Sequence, residues 1–453
     1  MEKSTAASCT AQLADFIYET QWEDMPVGMQ HELKRSLMNY FAVSLAGCND
    51  PTTDIVVRTF SPFSAGSAAS LIGRTERMDI LHAAAINALA ANVYDYDDTH
   101  IPTIIHPTAP VAAALLAYGE SNPIPGRAFM VALLLGIETQ CRIGLAISPF
   151  HYSRGWHITS TCGVFGSAMA LGKILGLLPN QLGWALGTAA CQAGGLVESL
   201  GTMSKSMSVG NAARNGMLSA LLAKEGFDGP ARPLEGDYGF TRVFGQSPDL
   251  SAITNDLGST WQLSNVAYKP YPCGVVLNPV LDAALDLAGQ LTPEDICKIT
   301  AIEITGHPLL KQRTDRPGVS SGRESQVSAQ HAVPVALLRK SAGLTEFSDT
   351  AVNDPAVKAL GTRVRFIEDG TYSIESAKVT LHLHDKRTME KHIAIAKGSL
   401  ARPLTDDELE TKLRDLCKYG ASGCDPNPLI AALWELETLD DISLLPALAV
   451  AKT

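Results

Sequence analysis

Residues 160–177, STCGVFGSAMALGKILGL, decide how the chain is read. Gly163, Gly166, Ala168, Ala170 and Gly172 recur through an otherwise largely apolar run. Each glycine inside a helix costs roughly 1 kcal/mol against alanine. Close helix–helix approach in a crowded core is what would justify that cost. The stretch therefore predicts a helix buried among other helices. Its neighbours have the same texture. Residues 30–47, QHELKRSLMNYFAVSLAG, place Leu33, Leu37, Tyr40, Phe41, Val43 and Leu45 on an apolar stripe and stop at Gly47. Residues 78–98, MDILHAAAINALAANVYDYDD, lack Gly and Pro and predict a helix ending near the aspartates. HPTAPVAAALLAYGE (106–120) starts another, with Pro107 suited to its first turn, and NAARNGMLSALLAKEGF (211–227) one more, closed by Gly226.

From about residue 265 the pattern changes. DICKITAIEITG (295–306) reads as a strand, and AKVTLHLHDKRTMEKHIAIAK (377–397) alternates, turns and alternates again as a hairpin does. Between them ESQVSAQHAVPVALLRK (324–340) and DPAVKALGTRV (354–364) read as helices. LTDDELETKLRDLCKYG (404–420), with Thr405 and Glu408 at capping-box spacing, and NPLIAALWELETLDDISLLPAL (427–448) restore the helical texture. The expected architecture is mainly α: a large all-helical domain from 1–265, a smaller α/β (α+β) lid domain from 266–398, and C-terminal helices from 399–453 rejoining the first.

The 453 residues are 46% hydrophobic and 18% charged, a globular composition. A net charge of −11 argues against nucleic acid as the main partner. The N-terminal MEKSTAASCTAQLADF has no basic region followed by an apolar core, so no secretory signal is expected. The uncharged run between Lys173 and Glu198 is broken by Pro179 and glycines and reads as two buried helices and a turn, not a membrane span. The nine cysteines form no CxxC pair, which points to free thiols in a reducing, cytoplasmic setting and to neither a zinc ribbon nor an iron–sulfur site.

Chemistry concentrates in residues 94–110, YDYDDTHIPTIIHPTAP. If the preceding helix ends near Asp97, Asp95 lies in its last turn, where the negative end of the dipole favours a carboxyl poised as a base. His106 stands at the entrance of the next helix, where an anion is favoured. One or other of Asp97 and Asp98 reads as a solvated turn residue, Thr99 as a local cap and His100 as an exposed loop histidine. Asp and His are also metal ligands, but no HxxxH or HExxH spacing is present. Three further cations share the polar-before-helix setting: His157 in SRGWHITSTCG, Lys205 in GTMSKSMSVGNAARNG just before a helix, and Lys269 among aromatics and prolines in NVAYKPYPCG. Taken singly each is more often structural; together they describe a helical enzyme for a small anion.

The segments YDYDDTH with its following HP, GWHITSTCGVFGSAMALGKILGL, GTMSKSMSVGNAARNGMLSALLAKEGF and YKPYPCG resemble the MmgE/PrpD family over nearly the whole chain. That family includes 2-methylcitrate dehydratase, cis-aconitate decarboxylase and an iminodisuccinate epimerase. The resemblance implies a homodimer and metal-independent chemistry without a cofactor on a di- or tricarboxylate. It implies active-site roles for Asp95, Thr99, His106, His157, Lys205 and Lys269. Two departures stand out: the family's decarboxylases have a histidine where this chain reads Cys273-Gly274, and a tyrosine where it has His331. The leading expectation is dehydration of a 2-methylcitrate- or 2-alkylcitrate-like tricarboxylate, with Asp95, His106, His157 and His331 catalytic and Thr99, Lys205 and Lys269 binding substrate. Decarboxylation of cis-aconitate to itaconate and epimerisation of a dicarboxylate are the alternatives, a binding protein and a metallohydrolase the more distant ones.

Overall fold

A computed structural model describes residues 8–451, so residues 1–7 of the N-terminal segment read above lie outside the described residues. The chain divides into two compact units. One holds the residues up to Val93, Asp97–Val266 and those from Asp406 on; the other holds Tyr94–Tyr96 and Ala267–Thr405. Helices dominate, as the sequence predicts.

The first unit is built on α1 (Val27–Gly47), α2 (Ile80–Asn92), α3 (Thr108–Gly119), α4 (Gly126–Ile147), α5 (Ile158–Ile174) and α6 (Met203–Lys224). The small residues of the opening stretch do what their cost requires. A Cβ on Gly136 of α4 would lie 2.7 Å from the Gly166 carbonyl of α5, and one on Gly166 would lie 2.8 Å from the Gly136 carbonyl. On α6, Gly216 meets the Val164 carbonyl of α5 at 2.5 Å and Gly210 the Ala85 carbonyl of α2 at 2.5 Å by the same construction. Backbone therefore touches backbone at three helix pairs. Gly166→Ala is expected to destabilise the fold by about 1–3 kcal/mol, the usual cost of overpacking. Urea unfolding measures it, and an unchanged midpoint would show that α4 and α5 separate freely.

Within α4 the buried Glu138 and Arg142 form an i,i+4 ion pair. Arg142 also donates to the Asn255 and Thr260 carbonyls, each at 2.7 Å, and Glu138 Oε2 accepts the Gln262 N–H at 2.7 Å. The pair is saturated with partners, as a buried charge must be, and it fixes residues 255–262 against α4. Among the described residues that helix is the one long and apolar enough to cross a membrane, and 94% of its apolar window is buried inside the structure. The uncharged run after Lys173 differs from expectation: it holds one helix, Pro179–Ala190, followed by irregular chain. Gly195, at φ +137°, turns that chain so that its carbonyl accepts the His157 N–H at 3.0 Å.

The second unit carries α7 (Asn278–Gln290), α8 (Ala329–Arg339) and α9 (Pro355–Gly361) with strands β1 (Ile299–Gly306), β2 (Val364–Glu368), β3 (Ala377–Leu383) and β4 (Thr388–Ile393). The sheet order is β2-β1-β3-β4, with β1 and β2 parallel and the other pairs antiparallel. Val379 and Leu381 of the hairpin, Ile302 and Ile304 of β1, and Leu281, Ala284, Ala332 and Ala336 of α7 and α8 form one apolar core. The predicted hairpin, strand and two helices are all present; residues 295–298, read as the start of that strand, belong instead to a short helix, Pro293–Lys298, capped by Thr292. After Thr405 the chain returns to the first unit through α10 (Asp406–Tyr419).

Candidate active site

Helix α2 stops at Asn92, so Asp95 is not in its last turn. Asp95 has φ +51°, a left-handed conformation that a helix cannot contain. Asp97 and Asp98 are both buried, which corrects the solvated-turn reading. Asp97 Oδ2 accepts from Asn92 Nδ2 at 2.7 Å, and Asp98 Oδ2 from the Thr108 hydroxyl at 2.5 Å. Burial pushes the Asp98 carboxyl up to about 7; the neighbouring Asp97 charge adds to this and the Thr108 hydrogen bond opposes it. His100 is likewise buried, between Thr103 Oγ1 at 2.7 Å and Gln262 Oε1 at 3.2 Å, and not an exposed loop residue. Burial holds it down to about 4, so it is neutral.

The sign of the Asp98 effect on stability follows from linkage. Its folded value lies above the unfolded one, near 3.8. The unfolded chain therefore releases this proton first as pH rises. The contribution is fully present below about pH 4 and is lost as pH rises through about 7. Asp98→Asn should flatten the decline of stability between these limits; an unchanged profile in thermal unfolding would mean that Asp98 is already ionised across that range.

His106 sits two residues before α3, with Pro107 at the N-cap. Its Nδ1 lies 2.7 Å from the Asp98 carbonyl, 3.3 Å from Asp97 Oδ1 and 3.4 Å from Thr99 Oγ1. A carbonyl only accepts, so Nδ1 carries the hydrogen and Nε2 is the nitrogen that gains or loses a proton. The Asp97 carboxylate is placed to stabilise the charged imidazolium. A ring nitrogen that donates to a carbonyl is not itself a metal ligand, so Nε2 is the His106 nitrogen that could serve a metal as well as a proton. Asp95, Asp97 and His106 are a group whose ligand atoms lie within 4.8 Å of one another.

His157 is the N-cap residue of α5, and Thr159 in that helix's first turn accepts the His106 N–H at 3.0 Å. The two histidines are thus joined through one helix start. His157 Nδ1 is 2.7 Å from Ser160 Oγ, Ser160 Oγ is 2.5 Å from Ser208 Oγ, and the Ser208 hydroxyl donates to the Lys205 carbonyl at 2.7 Å. Because Ser208 spends its one hydrogen on a carbonyl, Ser160 must donate to Ser208. His157 must then donate to Ser160, which fixes its hydrogen on Nδ1 and leaves Nε2 as its exchangeable site. Lys205, read as part of a connection, lies instead within the first turn of α6 and is buried. The N-termini of α5 and α6 and the Lys205 ammonium together favour an anion. Ser208→Ala frees Ser160 to donate to His157 instead. Histidine ¹⁵N shifts should then report a change of the His157 tautomer, and activity should fall about tenfold or more. Unchanged shifts would remove Ser208 from this relay.

In the second unit Lys269 Nζ lies 2.8 Å from Asp95 Oδ2 and 2.7 Å from the Asp95 carbonyl, with Lys269 buried and Asp95 partly exposed. Segment 94–96 is clamped there, since Gln326 donates to the Tyr94 carbonyl and the Tyr96 hydroxyl to the Pro270 carbonyl. Cys273 is fully buried, and burial pushes its thiol up to about 12 despite the Lys269 charge. His331 on α8 donates from Nε2 to the Glu346 carbonyl at 2.7 Å and meets the Phe347 ring edge-on. Burial lowers its basicity and keeps it neutral, with Nδ1 as its remaining acceptor. The structure thus gathers Thr99, His106, His157 and Lys205 in one unit and Asp95 with Lys269 in the other, while His331 has separate partners.

An MmgE/PrpD N-terminal domain matches residues 11–253 and an MmgE/PrpD C-terminal domain residues 271–436. The chain belongs to the MmgE/PrpD family. Similar proteins include the cis-aconitate decarboxylase-like protein oryM of Aspergillus oryzae, 26% identical over 99% of this chain and 98% of its own length. The cis-aconitate decarboxylase of Mus musculus is 27% identical over 97% of this chain and 93% of its own, and that of Homo sapiens 27% over 92% and 89%. Ser160 and Ser208 are residues of this MmgE/PrpD chain that sequence reasoning passes over, and Asp97 and Asp98 are ones it weighs only as turn residues. The only signal for the serines is that each stands three residues after a singled-out cation, His157 and Lys205.

Proposed function

We propose that this MmgE/PrpD protein is a lyase that dehydrates a citrate-like 2-hydroxy tricarboxylate of the 2-methylcitrate or 2-alkylcitrate type by acid/base catalysis without a metal. Neutral His106 takes the Cα proton at Nε2, and the electron pair moves into the adjoining carboxylate as an aci-carboxylate. The Lys205 ammonium, His157 and the starts of α5 and α6 bind and stabilise that charge. The C–O bond then breaks, the alkene forms, and His106 returns the proton to the departing hydroxyl as water. Asp97 stabilises the transient imidazolium, and Thr99 orients the carboxylate end of the substrate. Asp95, paired with Lys269 at 2.8 Å, is the second acid/base candidate, and His331 the third. Homodimerisation rests on the family resemblance and a cytoplasmic location on the free-thiol pattern of the cysteines; both belong to the same proposal.

Cys273 carries the choice of dehydration over decarboxylation. With Gly274 it stands where the family's decarboxylases resemble one another in having a histidine, and neither a glycine nor a thiol held near 12 gives or takes a proton near neutral pH. The second reading, decarboxylation of cis-aconitate, is favoured by the similarity to the cis-aconitate decarboxylases of Mus musculus and Homo sapiens. Incubation with 2-methylcitrate, citrate and cis-aconitate separately, followed by NMR and mass spectrometry, distinguishes them. Loss of water from a citrate is the expected result; release of CO₂ from cis-aconitate with the citrates untouched would establish the second reading.

A further inference from the structure

At the end of α10 two thiols face each other. Cys417 Sγ and Cys424 Sγ are 3.2 Å apart across a short turn. Ser422 Oγ lies 3.3 Å from the first and 3.4 Å from the second. Sulfurs at van der Waals contact need to close by little more than 1 Å to reach the roughly 2.05 Å of a disulfide. The intervening turn has room for that shift: Ala421 and Gly423 are both left-handed, and nothing lies within 4 Å of where a Gly423 Cβ would be. We propose that Cys417 and Cys424 form an oxidisable dithiol, a site at which a peroxide converts two thiols into an intrachain disulfide.

The chemistry balances. The Cys417 thiolate attacks one peroxide oxygen, the O–O bond breaks, and a sulfenic acid and, after protonation, a water result. The Cys424 sulfur then attacks the sulfenic sulfur, the S–S bond forms, and the hydroxyl leaves as a second water. The two sulfurs together lose two electrons, which the peroxide gains. Cys417 is the attacking member: the Cys424 thiol 3.2 Å away favours its thiolate, burial opposes this, and the Ser422 hydroxyl lies beside both sulfurs. Cys424, partly exposed, is the resolving member. The third thiol nearby, Cys48, does not compete: it donates to the Leu45 carbonyl at 3.1 Å, and burial pushes it up to about 11.

Cys191 and Cys297 are exposed and supply the internal comparison. The intact protein is treated with limiting hydrogen peroxide, remaining thiols are alkylated, and the digest is mapped by mass spectrometry. The proposal expects the Cys417–Cys424 cross-link to appear before Cys191 or Cys297 is modified, and dithiothreitol to reverse it. In Cys424→Ser the cross-link disappears and Cys417 accumulates as its sulfenic or sulfinic acid. Oxidation of Cys191 and Cys297 while Cys417 and Cys424 remain alkylatable would overturn it, and this comparison on the unsubstituted protein decides the matter even if the variant fails to fold.

Discussion

His106→Ala is expected to lower turnover by about 10²- to 10⁴-fold, the contribution of one positioned acid/base group. The expectation follows from the hydrogen on Nδ1: with that nitrogen held by the Asp98 carbonyl, all proton exchange passes through Nε2. Loss of the side chain also removes a buried hydrogen bond, so a stability change of about 1 kcal/mol accompanies it. His106→Gln separates the two effects. Its amide can still donate to the Asp98 carbonyl but cannot carry a proton between carbon and oxygen. Gln and Ala variants should therefore be equally inactive, and free imidazole should restore part of the activity of the Ala variant alone. An active Gln variant would make His106 a structural residue.

Asp95→Asn should reduce turnover over a similar range, about 10²- to 10⁴-fold, and leave the fold intact. Asparagine tolerates the left-handed backbone that Asp95 adopts at φ +51°, so the substitution removes the charge without straining the turn. What changes is the pairing: Lys269, buried, loses its carboxylate partner at 2.8 Å. Steady-state kinetics beside circular dichroism and thermal unfolding are the check. A near-wild-type rate would take Asp95 out of the mechanism and leave the Asp95–Lys269 pair a structural clamp on segment 94–96.

The helical unit was legible because its cost was written in the sequence. Gly166 makes sense only where helix backbones touch, and there they do; Gly136, Gly210 and Gly216, which the sequence reading does not single out, meet helix backbone in the same way. The hairpin at 377–393 was legible from its alternation. The site was legible by residue type but less so by setting. Asp97, Asp98 and His100 look like a polar loop in one dimension, whereas their burial depends on Asn92, Thr108 and Gln262 arriving to satisfy them. The Tyr94 carbonyl is held by Gln326, far along the chain, a partner that the local sequence does not reveal. The serine relay joins Ser160 to Ser208 across 48 positions of sequence, a pairing no local pattern announces.

The central claim is that His106, and no metal ion, moves the proton. The most direct test is the rate of water loss from 2-methylcitrate by exhaustively chelator-treated enzyme, with metal content measured on the same sample. An undiminished rate at substoichiometric metal is the predicted result. Activity that disappears with the metal and returns with an added divalent cation would contradict it.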